Sequence, residues 1–234
     1  MIKRIGENYT YSNIDLFSVR IIGLINAYGT SYPFAQFWTQ EINDKTTALI
    51  SKLDEYITLS YTGDCDIDEL TQFVYAVGFD TLLCDSKFIL DNEFICGIIM
   101  KCVPNSKFDI DFAVDKNPKL QQIFDLNIEE IGKDNFISWY TDFNHRIRHG
   151  ASKAYLIDDI ACGIVSSITD RAVAVSAIKT KAAFRHKGYG GAIVKSIIND
   201  FTVPIFLMRE KDKNEKFYKK LDFENIDEWR IYFR

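Results

Sequence analysis

The chain has 234 residues, of which 47% are hydrophobic and 26% charged, and it carries a formal net charge of −5 at pH 7. These proportions are those of a soluble globular protein, long enough for one large domain or two small ones. No run reaches about 18 apolar residues, so no membrane span is expected. Met1–Asn8 lacks the apolar core and cleavage pattern of a leader, which points to a cytoplasmic protein. The mild negative charge, with no basic stripe carrying stacking aromatics, argues against a nucleic-acid partner.

The five cysteines are Cys65, Cys84, Cys96, Cys102 and Cys162. Their number is odd and none form CxxC, as expected for reduced thiols in a cytoplasmic chain. His145, His149 and His186 show no zinc-ligand pairing with them, so no metal site is expected. Charge is unevenly placed. Residues 1–106 hold 7 cationic and 14 anionic side chains, and residues 107–234 hold 21 and 19. The second half suits an anionic ligand better. The acidic first half reads most simply as a solvated surface.

In chain order, Ile14 to Ala27 repeats apolar residues at helical spacing, and Phe34 to Ile42 reads as a second helix. Thr46–Ile50 and Tyr56–Tyr61 flank a polar turn and predict a hairpin. Asp66 or Asp68 caps a helix through Leu70, Phe73, Val74 and Val77, and Asp80–Cys84 predicts a strand. Val103–Ser106 marks a boundary between an N-terminal α/β lobe (1–106) and a second unit (107–234). There Phe108–Val114 alternates like a strand, Asn117-Pro118 starts a helix, and a second helix covers Asn135 to His149. Ala154–Ile157 and Ala161–Ser167 form a hairpin around Asp158-Asp159. The strand Ala172–Ile178, a helix from Ala192 to Asn199, the strand Val203–Met208, a helix ending at Phe217–Phe223 and the strand Glu228–Arg234 complete the chain. The first half, read as two helices, a hairpin, a helix and a strand, echoes the second.

Between the strand ending at Ile178 and the helix from Ala192 lies Arg185-His186-Lys187-Gly188-Tyr189-Gly190-Gly191. The first N–H groups of a helix lack partners within it, and the helix dipole favours negative charge there. Gly188 and Gly190 let backbone approach a phosphate without a Cβ in the way. Arg185 and Lys187 add positive charge. The turn therefore reads as a pyrophosphate site. A Walker loop fails because Val194 precedes Lys195-Ser196, and a dinucleotide fingerprint fails because Ile193 falls where the third glycine would stand.

What fits is R-x-x-G-x-G, as Arg185, Gly188 and Gly190. Together with Ala177–Lys181, Val203–Met208 and Phe217-Tyr218-Lys219-Lys220-Leu221-Asp222-Phe223, it resembles the GNAT N-acetyltransferase superfamily. The resemblance covers about residues 107–234 and admits a degenerate, shortened GNAT-like N-terminal lobe, in which no RxxGxG occurs. It implies an α/β fold with a mixed, mostly antiparallel central sheet flanked by helices, and an added N-terminal α/β lobe.

It also implies acetyl-CoA as cosubstrate, no metal, and a primary amine of a small molecule or peptide as acceptor, attacked directly in a ternary complex. By that resemblance, backbone groups of Ile178 and Thr180 receive the pantetheine arm, Arg185 to Gly191 (with His186, Lys187 and Tyr189) hold the pyrophosphate, and Tyr218 protonates the departing thiolate. Two positions depart from the family pattern: Lys211 stands where an asparagine often does, and Asp222 replaces a glycine. The strand before the loop has no carboxylate, so no base is assigned; Glu210 and a water relay are the candidates. Asn144–Gly150 reads as a cationic helix end stopped by glycine rather than as an acid-binding cluster, and Trp139, Tyr140 and Phe143 read as core. A non-catalytic CoA sensor, or transfer of another acyl group or to another acceptor, is the alternative. A homodimer is compatible with the sequence.

Overall fold

The computed structural model describes residues 1–6 and 9–234. Glu7 and Asn8, at the end of the N-terminal stretch read above for a leader, lie outside them. The strands are β1 (Ile2–Arg4), β2 (Ala35–Ile42), β3 (Lys45–Leu53), β4 (Tyr56–Tyr61), β5 (Thr81–Asp85), β6 (Phe94–Cys102), β7 (Lys153–Ile157), β8 (Ala161–Ile168), β9 (Val173–Thr180), β10 (Ile205–Glu210) and β11 (Glu224–Phe233). The helices are α1 (Leu16–Tyr28), α2 (Ile67–Val77), α3 (Leu120–Leu126), α4 (Ile128–Ile131), α5 (Phe136–Arg148), α6 (Tyr189–Asp200) and α7 (Glu215–Lys219). Among the described residues, all eleven strands form one sheet in the order β1-β2-β3-β4-β5-β11-β6-β10-β9-β8-β7.

The sheet repeats itself. β2, β3 and β4 pair antiparallel, α2 crosses over, and β5 runs parallel to β4. β7, β8 and β9 pair antiparallel, α6 crosses over, and β10 runs parallel to β9. The centre is an exchange. β11, from the end of the chain, lies between β5 and β6, and β6 lies between β11 and β10. Each half thus completes its sheet with a strand from the other.

Both faces of the sheet are covered. On one, α6 and α7 bury Ile193, Ile197 and Tyr218 against Tyr155, Val165, Val175 and Leu207, while α2 buries Leu70 and Val74 against Ile57, Leu59 and Leu82. On the other, α1 sets Leu16, Phe17 and Val19 on Leu83, Ile99, Ala174 and Phe206, and α3 and α5 cover Leu156, Cys162 and Ile164. Helix α1 is started by Asp15, whose carboxylate accepts from Ser18 N while Ser18 Oγ accepts from Asp15 N, a reciprocal cap. Gly23 lets α1 approach β8 closely, since a Cβ there would stand 2.8 Å from that of Ser167.

Two expectations from sequence are corrected. Phe34 to Ile42 is not a helix: Ala35–Ile42 is β2, bonded to β1 and β3 on its two edges. Phe37 and Trp38 face opposite sides and both are buried, Phe37 beside α1 and Trp38 beside α2. With both faces covered, the polar alternation that marks a strand is lost. Phe108–Val114 is not a strand either; only a single bridge joins Asp115 to Leu156 nearby. Its alternation is that of a half-buried segment, with Phe108, Ile110, Phe112 and Val114 packed on the cluster under α6. Phe108 N–H donates to Asn199 Oδ1, and Asn199 Nδ2 donates to Phe108 O, both at 2.8 Å. These bonds replace a ladder.

Candidate active site

The site begins where two parallel strands part. β9 and β10 pair only from Val173–Ile205 to Val175–Leu207. Beyond that, Met208–Glu210 remain bonded to β6, and β9 remains bonded to β8 through Ser176, Lys179 and Thr180. The facing edges are left without a ladder. A bulge enforces the parting: the β8–β9 register slips between Cys162 and Ile164, and Ala177 takes φ 49°, a conformation costly for a residue with a Cβ. The resulting cleft, about 290 Å³, is bordered by Ser176, Ala177 and Ile178 from β9, by Met208 and Glu210 from β10, and by Asn214 and Tyr218.

At the outer end of β9 the chain turns into α6. Arg185 is extended, His186 takes φ 63°, and Gly188 takes φ 93° as the residue before the helix. The first intrahelical bond is Ala192 N–H to Gly188 O at 2.9 Å, so the N–H groups of Tyr189, Gly190 and Gly191 precede the helical ladder, and no side chain caps this end. A Cβ on Gly190 would lie 3.2 Å from Thr180 Oγ1, whereas one on Gly191 would meet nothing within 4 Å. Arg185 Nε donates to Thr180 O at 3.3 Å, and the Lys187 ammonium stands 5.3 Å from the Phe184 ring centroid. Arg185, His186, Lys187 and Gly188 are exposed. The free amides, the left-handed glycine and the two cations together form a positively biased surface. Of the two residues expected to receive a pantetheine arm, Ile178 lines the cleft, while Thr180 lies at the loop with its carbonyl already bonded to Arg185.

At the inner end stands Tyr218, on α7. It is 8% exposed, packed edge-on to Phe217 and Phe223, and burial pushes its phenol up to about 12. Arg209 fixes the turn that carries it. That side chain is 4% exposed, donates to Glu210 O at 2.9 Å and to Asn225 Oδ1 at 3.2 Å, and pairs with Glu215 at 3.2 Å. Asp222, where the family pattern has glycine, takes φ 61°. Lys211 points to Glu228 at 3.0 Å and is not among the cleft residues, whereas Asn214 is. Glu210 lies at the cleft but is exposed and paired with Lys213 at 2.7 Å.

The same stretch of β9 borders a second pocket on the opposite face of the sheet. This pocket, about 410 Å³, is lined by Ser176–Lys179 together with Asn127, Ile131, Trp139, Phe143 and Arg146. Ser176, Ala177 and Ile178 therefore border both cavities, the cleft beside Tyr218 and the pocket under α4 and α5. Sequence reasoning missed Ser176 and Arg146. Arg146 sits in the cationic end of α5, where His149 bonds His145 O and Gly150 takes φ 69°, so the helix-end reading masked its second role. Phe143 is core at 1% exposure, as read; Trp139 is core on one side and pocket wall on the other.

The N-terminal counterpart is closed. β4 and β5 also part after three pairs, but Phe88, wholly buried, packs there with Leu59, Cys84 and Tyr232. The helix after β4 starts at Asp66, whose carboxylate occupies the free end by accepting from Glu69 N–H at 3.0 Å, with Asp68 and Glu69 in the first turn. Three carboxylates where α6 has glycine make this end repel anions. Among the described residues there is no group of three or more potential metal ligands, and no helix is long and apolar enough to cross a membrane.

No protein-family model matches the chain, and no curated protein does. Solved structures do. A GCN5-related N-acetyltransferase from Kribbella flavida matches with a TM-score of 0.57 at 11% identity, over 93% of this chain and 93% of the other. A tandem GNAT protein from the clavulanic acid biosynthesis pathway matches at 0.56 and 10% identity, over 91% and 87%. A Drosophila protein matches at 0.63 and 9% identity, over 94% and 90%. The chain has the fold of the GNAT acetyltransferases.

Proposed function

We propose that this protein is an acetyl-CoA-dependent N-acetyltransferase acting on a primary amine, and that a GNAT-like unit without a phosphate loop, built mainly from residues 1–106, is joined to a working unit built mainly from 107–234 and completed by β6. One observation carries the reading: the cleft between β9 and β10 has a buried tyrosine in its wall and shares Ser176–Ile178 with a second cavity, and β9 runs on from it to free helix amides flanked by two cations. Acetyl-CoA is a long anionic thioester, and those parts match its pyrophosphate, its sulfur and the approach of an acceptor.

In this reading, the N–H groups of Tyr189, Gly190 and Gly191, with Arg185, His186, Lys187 and Gly188 around them, hold the pyrophosphate. The unpaired edge at Ile178 bonds the pantetheine amides, and a backbone N–H there polarises the thioester carbonyl. The amine nitrogen attacks the carbonyl carbon, the C–N bond forms, the C–S bond breaks, and the nitrogen releases a proton to water reached through the pocket. Tyr218, protonated at neutral pH, donates its O–H to the leaving sulfur. Holding both reactants against the same stretch of β9 supplies rate by orientation.

The test is thermal unfolding with acetyl-CoA, alongside the Arg185→Ala/Lys187→Ala variant, followed by thiol release in the presence of amines. A stabilisation reduced in the variant, and thiol release that depends on an amine, are expected. Stabilisation without release for any amine would favour a CoA sensor. No stabilisation of the folded protein would remove the transferase reading.

A further inference from the structure

Ile131 and Trp139, which line the pocket beside Ser176–Lys179, also line a larger cavity of about 700 Å³. Its far wall comes from the N-terminal half: Tyr28 at the end of α1, Tyr32 and Phe34 in the connection to β2, and Asp54 in the turn after β3. The Tyr28 ring stands edge-on to Tyr32 at 6.2 Å and 83°, and to Phe34 at 5.3 Å and 84°. Behind it the imidazole of His145 stacks at 4.7 Å, and its hydroxyl donates to Asp142. Tyr28 is thereby fixed. Tyr32 and Phe34 remain 45% and 42% exposed, a large apolar area for so small a wall.

The charges in the wall are spent within it. Asp142 accepts from both Tyr28 and Arg146, and His145 Nε2 bonds Ala27 O at 2.9 Å. Among the described residues of the wall, the exposed Asp54 is the charged one with no such partner. A cavity with aromatic faces, no unpaired cation and one rim carboxylate suits an apolar, flat, uncharged or cationic body. It does not suit a carboxylate or a phosphate.

We propose, resting on the transferase reading above, that the acceptor is an amine whose non-reacting end is an aromatic ring. The ring lies among Tyr32, Phe34 and Trp139, and the amine reaches β9 at Ser176–Ile178. Both halves of the chain then build the site. The N-terminal unit, which lacks a phosphate loop, selects the acceptor, and rigid rings meet a ring at low entropic cost.

The probe is 2-phenylethylamine, followed by tryptophan fluorescence with a Trp139→Phe control that assigns the signal, and by melting with acetyl-CoA as the separate readout of the cosubstrate site. Saturable binding at least about tenfold tighter than that of 1,4-diaminobutane or of phenylalanine is expected, since lost pocket contacts and unpaired charge each discriminate on this scale. Phe34→Ala and Tyr32→Ala, both at exposed positions, should weaken the amine about tenfold and leave the melting shift by acetyl-CoA unchanged. Equal or tighter binding of the diamine or of phenylalanine, or no effect of either substitution in a normally folded protein, would overturn the inference while leaving the transferase reading intact. If acetyl-CoA gives no shift but the ring amine still binds through Phe34, the aromatic pocket stands and the transferase reading falls.

Discussion

The indole of Trp229 lies over Gly97, and its Nε1–H donates to the carbonyl of Arg209 at 3.2 Å. One ring on β11 thus covers β6 and bonds β10, locking the three strands at the exchange between the two halves. A Cβ on Gly97 would fall 2.5 Å from the Trp229 ring and onto the Arg209 carbonyl. Neither neighbour is the free end of a flexible chain. Gly97→Ala should therefore destabilise the fold by about 2–3 kcal/mol, read as a lower midpoint in urea with an unchanged slope. A midpoint within error of the parent would mean the strands separate freely enough to admit a methyl group, against the packing described.

The exchange also makes a prediction about fragments. Residues 107–234 retain β7 to β11 but lack β6, which pairs with β10 from Ile205–Cys102 to Glu210–Gly97 and with β11 from Glu224 to Tyr232. Without it, two central edges lie open and Phe206 and Leu207 lose neighbours. The 107–234 fragment should be insoluble or unfolded by circular dichroism, whereas a fragment beginning before Phe94 should hold more structure. A cooperative melt of 107–234 alone would show that β6 is dispensable to its neighbours.

How far the chain could be read in advance follows from where its information lies. The loop at Arg185–Gly191, the strand before it and Tyr218 are local signals, since glycine, charge and helix start stand together in sequence. Helix α1 was legible from its period, and Asp66 as a cap from its side chain. Strand β6 is an apolar run around Cys96, but nothing local says it sits between two strands from the end of the chain. The Phe37-Trp38 reversal has the same origin: burial on both faces erases the period that distinguishes a strand. The pocket beyond Trp139 was hidden because it joins Tyr28, Tyr32 and Phe34 to α5 across nearly half the chain. Such contacts are written in shape, not spacing.

Asp222 offers a change that should stabilise. It takes φ 61° just after α7, where its N–H bonds Lys219 O at 3.3 Å and Phe223 N–H returns to Tyr218 O at 3.2 Å. Glycine adopts this conformation without a Cβ penalty, though it has more freedom to lose on folding. Asp222→Gly should raise stability by about 0.5–1 kcal/mol and leave thiol release unaltered, because Asp222 is not among the cleft residues. A drop in melting temperature would indicate that the carboxylate contributes more than the backbone gains.

Replacing Tyr218 by phenylalanine separates its packing from its chemistry. The ring fills the same space against Phe217 and Phe223, so the melting temperature and the acetyl-CoA shift should hold. Loss of a positioned acid slows such steps by about a hundredfold or more, and the loss should appear in kcat, with KM for acetyl-CoA little changed. Unaltered kcat would release Tyr218 from the mechanism and return it to the core.

The pH profile follows from the sign of that tyrosine's shift. Burial raises the phenol from 10.0 to about 12, so it remains the donor form from neutral pH to well above 10. A primary amine acceptor, by contrast, gains its nucleophilic free base as pH rises toward its own pKa of about 10. With acetyl-CoA saturating, kcat/KM for the amine should climb through pH 7 to 9.5 with no descending limb from Tyr218. A descending limb near pH 8 to 9 that vanishes in Tyr218→Phe would mean the tyrosine ionises early, contrary to its burial. Stability obeys the same linkage. Tyr11, Tyr28, Tyr61 and Tyr155 are also raised, each chiefly by burial, so their contribution is complete below about pH 10, the unfolded value, and is lost as pH climbs toward the folded ones. Urea midpoints should hold through mildly alkaline buffers and then fall steeply above that point, while tyrosinate absorbance at the same pH lags until the protein unfolds.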